Sequence, residues 1–269
     1  MAEAGGPALS TEALLSALET KRFGRALRLL AETPSTIDVA WAWLRAGGPE
    51  GGAVIAEQQT QGRGRGARSW ISPRGGLWMS VLARPGMPAA QGGRLGIGLA
   101  LAAVEAIARE SDCPVGLKWP NDVFLGGRKA GGVLVETETE GGRITGAVLS
   151  LGLNVNLAAA DLPEEIRAQA TSLREMTGRG HDLAHIAAEV LGGLEKMWPD
   201  LTARGGGLAE RWSRWDVLKG EEVEIETGEQ ALLARAEGID EEGALIAVVG
   251  GEIRRVRVGE VRAVRMAEG

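Results

Sequence analysis

The sequence predicts a mixed α+β fold that is followed by a small β-rich module. Short apolar runs of strand length alternate with longer segments of helical periodicity, and after Lys219 only short alternating strands remain. Residues 133–139 and 144–153 form a predicted hairpin, whereas other strands are joined through helices, which indicates a mixed sheet rather than a doubly wound one. We therefore expect a larger domain of residues 1–218 and a small C-terminal domain of residues 219–269.

The predicted helices combine a start or stop signal with apolar residues at helical spacing. Ser10 or Thr11 caps the first helix, and Gly47-Gly48-Pro49 ends the second. The third is apolar nearly all round, which predicts a buried helix. The helices cover residues 10–20, 37–46, 92–110, 182–198 and 208–215.

The predicted strands are short, apolar and bounded by turn residues. In the larger domain they cover residues 26–31, 53–57, 77–83, 115–119, 123–125, 133–139 and 144–153. In the C-terminal module they lie at Val223 and Ile225 and over residues 245–249, 253–258 and 261–264. A run of about fifty residues with this pattern predicts a small β-barrel.

The composition excludes several classes of protein. A net charge of -6 argues against a general nucleic-acid binder, which would show a broad basic face. The single Cys113 excludes an internal disulfide, and His181 with His185 has no third ligand nearby, so no metal site is assigned and a solvated helix face is expected for the pair. No apolar run approaches the roughly 18 residues that span a membrane, and no secretory signal is visible, so we expect a cytoplasmic protein without a membrane partner.

The most informative segment is the loop of residues 59–70, where glycine alternates with arginine at Arg63, Arg65 and Arg68. Glycine lets the backbone curve closely around a ligand, and guanidinium is a planar, permanently charged donor to phosphate or carboxylate. The loop continues into Ser-Trp-Ile-Ser-Pro rather than a helix, and no Gly-Lys-Ser/Thr closes it, so neither the dinucleotide nor the P-loop interpretation holds. The residues alone leave open an anion site, a plain surface turn and, more weakly, an RNA-binding tract.

A second segment, residues 118–122, reads Lys-Trp-Pro-Asn-Asp. Pro120 fixes its own φ and favours an extended residue before it, so the neighbouring side chains are aimed reproducibly. Asn121 offers a donor and an acceptor suited to the edge of a base, and Asp122 offers a carboxylate to a metal ion or an incoming amine. The alternative is a tight turn with a solvated Lys118.

These segments, in this order and spacing, resemble the bacterial biotin–protein ligases. The resemblance extends from about Ala31 to the last strand, and its anchors are Ser35-Thr36, Gln59-Thr60, Gly62-Arg63-Gly64-Arg65-Gly66 with Arg68 and Trp70, Lys118-Trp119-Pro120-Asn121-Asp122, Arg128-Lys129 with Gly132, and Gly152-Leu153-Asn154-Val155-Asn156. It implies a catalytic domain of class II synthetase type, with a mixed sheet packed against helices, and a small C-terminal SH3-like β-barrel.

The resemblance also implies a reaction. Members of the family join biotin to ATP as biotinyl-5'-AMP and then pass biotin to a lysine of a biotin carboxyl carrier protein, which makes ATP and biotin the substrates and Mg²⁺ the expected cofactor. Two unit charges of one sign about 4 Å apart repel by about 4 kcal/mol at an effective dielectric constant near 20. Cationic side chains would therefore be needed to bring the biotin carboxylate to the triphosphate.

Roles follow from the resemblance by matching positions. Contacts to biotin are implied for Ser35, Thr36, Gln59, Gly62, Arg63, Lys129, Gly132, Ser150 and Gly152. Contacts to ATP or the adenylate are implied for Arg63, Gly64, Arg65, Arg68, Trp70, Lys118, Asn121 and Asn154. Catalytic roles are implied for Lys129 against the activated carboxyl, Arg65 in ordering the loop, Lys118, and Asp122 in orienting the acceptor lysine.

More specifically, the neutral Ser35, Thr36 and Gln59 resemble contacts to the ureido group, and Arg63 is expected to face the biotin carboxylate or the new acyl-phosphate. Trp70 is expected to pack against adenine, with Asn121 and Asn154 as its hydrogen-bonding partners.

The chain departs from the family pattern at a few positions. Ser150 stands where glycine is common, Ala130-Gly131 where a larger Leu-Ala pair is usual, and Ile37 where asparagine is frequent. Only about thirty residues precede Ser35, fewer than the DNA-binding domain of repressor-type ligases, so no nucleic-acid partner is expected. The alternative within enzymes is a lipoate or octanoate ligase or transferase of the same fold, and we expect a monomer or a homodimer.

Overall fold

The computed structural model describes residues 7, 9–66, 68–203, 206–227 and 230–263. Its larger part is built on a seven-stranded sheet. The strands are β1 Leu27–Leu30, β2 Ala53–Ala56, β3 Leu77–Ala83, β4 Val115–Lys118, β5 Asp122–Leu125, β6 Arg128–Glu140 and β7 Arg143–Leu153. Their order in the sheet is β1-β2-β3-β7-β6-β5-β4. The first pair is parallel and the others are antiparallel, so the sheet is mixed as predicted.

Helices cover both faces of this sheet. They are α1 Thr11–Ala17, α2 Thr36–Arg45, α3 Gly93–Glu110, α4 Glu164–Arg167, α5 Leu173–Thr177, α6 Leu183–Thr202 and α7 Leu208–Ser213. Because strand side chains alternate between faces, Ile55 and Val81 pack in the core that holds α3 and α6, whereas Val54 and Leu82 pack against α2.

The helix α3 is buried as its sequence predicts, and it lies close to α6 because of a glycine. A Cβ on Gly98 would come within 2.4 Å of the Leu201 Cδ1 atom. Side chains of α3 and α6 make up much of the main core. Residues of β4 to β7 line a cavity.

A second, antiparallel sheet follows in the order β11-β10-β9-β8-β12. Its strands are β8 Glu222–Thr227, β9 Gln230–Ile239, β10 Leu245–Val249, β11 Glu252–Val256 and β12 Glu260–Ala263. The indole of Trp119 donates to the Gly243 carbonyl at 2.9 Å, and the Arg94 guanidinium donates to the Glu241 carbonyl at 3.0 Å. Apolar residues of this sheet join the same core as the larger part, so the two sheets are packed together.

The predicted fold class is confirmed, with differences in individual elements. The strand β9 and the short helices α4 and α5 were not predicted, and α6 continues through Pro199 to Thr202 rather than ending at Trp198. The predicted end of the last strand, Val264, lies outside the described residues, as does the middle of the predicted turn after Thr227. The division into domains at residues 218 and 219 stays a prediction.

Candidate active site

One cavity of about 1180 Å³ collects most of the residues that the sequence singled out. It lies between the arginine loop, β4 to β7, and the second sheet. The predicted residues that line it are Thr36, Gln59, Arg63, Gly64, Arg65, Arg68, Trp70, Lys118, Asn121, Asp122, Lys129, Gly132, Ser150, Gly152 and Asn154. The remaining two, Ser35 and Gly62, are buried and do not line the cavity, and their contacts to biotin stay predictions.

Ser35 and Gly62 have structural functions that explain their residue types. The Ser35 hydroxyl accepts a hydrogen bond from the Ile37 amide at 3.3 Å and caps α2. A Cβ on Gly62 would come within 2.3 Å of the Trp70 carbonyl oxygen, because the loop folds back on itself there. The Trp70 amide donates to the Gly62 carbonyl at 2.8 Å, and the Gly64 amide donates to the Arg68 carbonyl at the same distance. The arginine loop is thus a small hairpin rather than an open turn.

One end of the cavity carries neutral hydroxyl and amide groups. The Thr36 amide and hydroxyl both donate to Gln59 Oε1, at 2.9 and 3.0 Å. The Thr36 hydroxyl lies 2.8 Å from that of Ser80, which lies 2.8 Å from that of Ser150. The Gln59 side-chain amide donates to the Ser72 hydroxyl at 2.9 Å. The hydroxyl of Ser150 is therefore accommodated by bonding to Ser80.

The opposite end of the cavity carries charges. The Lys129 ammonium lies 2.6 Å from Asp122 Oδ1 and 5.4 Å from the centre of the Trp70 ring. Lys118 lies opposite Asp122 in the register of the β4–β5 hairpin, and the Asp122 charge acts on its ammonium. Burial lowers the pKa of Lys118, the nearby charges of Lys129 and Arg262 lower it further, and Asp122 opposes them. Burial also lowers the pKa of Arg65.

The arginines of the loop have different partners. Arg63 pairs with Asp38 of α2 at 2.8 Å and with Glu136 of β6 at 3.4 Å, so its guanidinium is held by two carboxylates at the edge of the cavity. Arg65 donates to the Gly259 carbonyl at 3.2 Å, and Arg68 pairs with Glu260, which ties the loop to the second sheet.

Between the two ends lies a flat slot beside Trp70. A Cβ on Gly152 would come within 2.6 Å of Trp70 Nε1, so this glycine lets the ring pack on the strand. Asn154 donates to the Thr171 carbonyl at 3.0 Å, but among the described residues its buried Oδ1 atom has no hydrogen-bond partner, and neither has the buried Trp70 Nε1 atom. Asn121 donates to the Val133 carbonyl at 2.8 Å. A buried acceptor without a partner at a cavity wall suits a ligand N–H group.

Sequence reasoning missed residues that reach the cavity from elsewhere. The second sheet and the segment before it contribute Val217, Leu218, Glu221, Glu260, Val261 and Arg262. Another wall comes from the segment of α4 and the residues after it, in which the Gln169 carbonyl accepts from the Lys129 amide at 2.8 Å. Charged residues such as Glu260 and Arg262 stand out in the sequence of β12, but the sequence does not reveal that this strand lies beside the cavity.

Within the described ranges of the chain, no group of three or more His, Cys, Asp or Glu side chains could hold a metal ion. None of the helices in the part of the chain that the structure describes is both long and apolar enough to span a bilayer.

The chain is similar to known proteins over most of its length. Residues 29–155 match the Biotin/lipoate A/B protein ligase family, and residues 219–262 match the Biotin protein ligase C terminal domain. The chain is 34% identical over 244 residues to the biotin--[acetyl-CoA-carboxylase] ligase of Mycobacterium tuberculosis, with 88% of each chain covered. It is 31% identical over 255 residues to the bifunctional ligase/repressor BirA of Bacillus subtilis, which covers 94% of this chain and 78% of the relative.

Solved structures are similar as well. The biotin protein ligase from Aquifex aeolicus in complex with biotin and ATP has a TM-score of 0.75 at 30% identity, with 90% of this chain and 100% of that chain covered. The fold and the cavity thus define a ligase of the biotin and lipoate class. Within that class, the chain belongs to the biotin protein ligase family.

Proposed function

We propose that this ligase activates biotin with ATP to biotinyl-5'-AMP and transfers the biotinyl group to a lysine of a biotin carboxyl carrier protein. The family and its relatives support biotin and ATP as substrates: the Aquifex aeolicus structure contains both, and the Mycobacterium tuberculosis relative is named for acetyl-CoA carboxylase. The proposal depends on one arrangement: a cavity with hydrogen-bonded neutral groups at one end and a Lys–Asp–Lys cluster at the other.

The neutral end suits a ureido ring and the charged end suits a carboxylate. A urea has no charge, so a surface of Thr36, Gln59 and Ser150 can match it without burying an unpaired ion. A carboxylate bound near Lys129 replaces the repulsion of two anions with an attraction to a cation. We therefore place the valeryl chain of biotin between these ends, with its carboxylate toward Lys129.

The first step joins two anions. A biotin carboxylate oxygen forms a bond to the α-phosphorus of ATP, and the bond from that phosphorus to the bridging oxygen breaks, so pyrophosphate leaves. We assign Lys129 to the carboxylate, and Lys118 with Arg65 to the phosphate charge. The orientation of the two reactants in one cavity supplies much of the rate gain expected for such a step.

The adenine is assigned to the slot beside Trp70. Its exocyclic amine is a donor, which matches the Asn154 Oδ1 atom that is buried without a partner. We place the adenine against the Trp70 indole, which lines the cavity, and the Asn121 side chain is fixed by its bond to the Val133 carbonyl.

The cation Mg²⁺ fits as a companion of the triphosphate. It usually retains water and is held by phosphates with one or two carboxylates. Glu221 lines the cavity on the side of the second sheet and would hold it there, whereas the Glu260 carboxylate is paired with Arg68. When bound, it would neutralise phosphate charge.

In the second step the acceptor lysine attacks the acyl carbon, AMP leaves, and the amine loses a proton. We assign Asp122 to orient that lysine, because it is the carboxylate beside Lys129. The cytoplasmic location, the absence of a nucleic-acid partner, and the choice between monomer and homodimer stay predictions.

The proposal is tested by measuring pyrophosphate release with ATP, Mg²⁺ and biotin, lipoate or octanoate in turn. We expect release with biotin alone among the three acids, and a gain of one biotinyl group when an unmodified carrier domain is added, seen by mass spectrometry. Release that depends on lipoate or octanoate but not on biotin would assign the chain to the alternative enzyme. Salt-sensitive binding of DNA or RNA without any biotin-dependent release would exclude both.

A further inference from the structure

A chain of hydrogen bonds runs beneath the neutral end of the cavity and ends at Ser150. From Ser150 it passes through the hydroxyl groups of Ser80 and Thr36 to the Gln59 side chain, with successive separations of 2.8, 2.8 and 3.0 Å. From Gln59 it continues to Ser72 at 2.9 Å and to the Trp70 carbonyl at 3.1 Å. The hydroxyl-bearing residues are almost fully buried, with at most 7% of each exposed. The nearest partners of these hydroxyls are therefore one another rather than bulk water.

The direction of every hydroxyl in the chain follows from one backbone amide. The Thr36 N–H can only donate, and it lies 2.9 Å from the terminal Gln59 atom, which must therefore be the oxygen. The Thr36 hydroxyl lies 3.0 Å from the same oxygen, and two oxygens at that distance repel unless a proton lies between them. The single hydroxyl proton of Thr36 is thus directed to Gln59.

The remaining protons follow in order. Since the Thr36 proton is directed to Gln59, its hydroxyl can only accept from Ser80. Since the Ser80 proton is directed to Thr36, the Ser80 hydroxyl can only accept from Ser150. The Ser150 proton therefore points away from the cavity, and only lone pairs of its oxygen face the ligand.

We propose that Ser150 is a specificity-determining residue that accepts a hydrogen bond from one ureido N–H of biotin and, because its own proton is held by Ser80, rejects ligands that present an acceptor there. The inference rests on the proposed function. Its structural basis is that Ser150 lines the cavity at the neutral end, where its oxygen can reach a ligand. Lipoate and octanoate carry no N–H group at this end, so they would leave the buried Ser150 oxygen without a partner.

The test uses two carbamate analogues of biotin, in each of which one ureido N–H is replaced by a ring oxygen of nearly the same size. Dissociation constants are measured by calorimetry without ATP for biotin and both analogues. The proteins are the wild type, Ser80→Ala, and the matched control Ser213→Ala, which removes a hydroxyl that donates to the Glu210 carbonyl outside the cavity.

For the wild type and Ser213→Ala, we expect one analogue to bind at least about tenfold more weakly than biotin, because two acceptors then face each other. In Ser80→Ala the Ser150 proton can turn toward the cavity, so the same analogue should bind within about threefold of biotin. The inference is overturned if the wild type binds both analogues as tightly as biotin, or if the loss is the same in Ser80→Ala.

Ser150→Ala provides a second measurement if Ser80→Ala does not fold, as judged by its thermal melting. Removal of the acceptor should bring the dissociation constants of biotin and the discriminated analogue to within about threefold, and a wild-type ratio in this variant would contradict the inference. If the wild type does not bind biotin at all, the proposed function fails together with the inference. If it binds biotin but the ratio never responds to Ser80 or Ser150, only the inference fails.

Discussion

The two ends of the cavity are organised in opposite ways. At the neutral end, Thr36, Ser80 and Ser150 are almost fully buried, and their hydroxyls are joined in one chain. At the charged end, Lys129 and Asp122 keep 34% and 22% of their side chains exposed. Groups whose partners are fixed inside the protein recognise a ligand by shape and by donor or acceptor position. Charged groups that are partly exposed and paired with one another can take a ligand charge as a new partner during a reaction.

From this difference we expect the neutral end to determine the affinity for biotin and the charged end to determine the rate of adenylate formation. Loss of a neutral contact removes an interaction that substrate and transition state share, so it should raise the biotin dissociation constant. Loss of a cation removes stabilisation of charge that is brought together during adenylate formation, so it should lower the maximum rate.

The largest effect is expected at Lys129. We expect Lys129→Ala to lower biotin-dependent pyrophosphate release by about 100- to 1000-fold, because its ammonium is the cation assigned to the reacting carboxylate. The matched control Lys196→Ala removes an exposed lysine of α6 and should retain the wild-type rate. A rate for Lys129→Ala within about threefold of wild type would remove this residue from the reaction.

A smaller effect is expected at the adenine slot. The wild type should use inosine triphosphate about 10- to 100-fold less well than ATP, because the 6-oxo group would face the Asn154 Oδ1 atom that is buried without a partner. Asn154→Ala should lower the activity with ATP and leave the activity with inosine triphosphate nearly unchanged, so most of the preference for ATP should disappear. Competitive pyrophosphate-release assays with the two nucleotides measure it, and equal use of both by the wild type would contradict the assignment.

Arg65 tests the link between the loop and the second sheet. Its guanidinium donates to the Gly259 carbonyl, so Arg65→Ala should loosen the loop and release biotinyl-5'-AMP about tenfold faster in single-turnover assays. Arg214→Ala, at an exposed position where the guanidinium pairs with Glu210 one helical turn earlier, is the control. The loop-ordering role is wrong if the release rate of the intermediate does not change.

The smallest effect is a proton uptake by Lys118. Burial, Lys129 and Arg262 lower its pKa in the unliganded protein, and the phosphates of ATP favour the protonated form. At a pH between the pKa values before and after binding, part of Lys118 is neutral and takes up a proton when ATP binds.

Calorimetry of ATP binding in two alkaline buffers of different ionisation enthalpy measures this uptake. Lys118→Met should abolish it. Proton release by the wild type, or the same uptake in the variant, would contradict the account.

The sequence allowed much of this site to be predicted, because short segments carry their own local geometry. Residues 118–122 are contiguous, and so are the residues of the arginine loop. Within each segment the side chains therefore stay close together, whatever the rest of the fold. Partners that are distant in sequence could not be predicted. Arg63 was expected to face a carboxylate of the ligand, but its guanidinium pairs with Asp38 and Glu136 from other elements.

The same limit applies to buried polar groups. His181 was expected on a solvated face, but its ring is buried between Glu110 and Thr177, at 2.8 and 2.7 Å. That prediction was wrong, because the helical spacing of two histidines says nothing about the carboxylate that arrives from α3. The Ser80 hydroxyl links those of Thr36 and Ser150 at the neutral end. It could not be predicted from the sequence, since a single serine in a buried strand is not distinctive.

The separation of binding and rate between the two ends can be measured with Thr36→Val and Lys129→Met, by determining for each the biotin dissociation constant without ATP and the rate of pyrophosphate release at saturating biotin and ATP. We expect Thr36→Val to weaken biotin binding at least about tenfold while the saturated rate stays within about threefold of wild type. We expect the reverse for Lys129→Met, with a rate at least about 100-fold lower and a smaller change in binding. If both variants changed the same quantity to the same extent, the two ends of the cavity would not have separate functions.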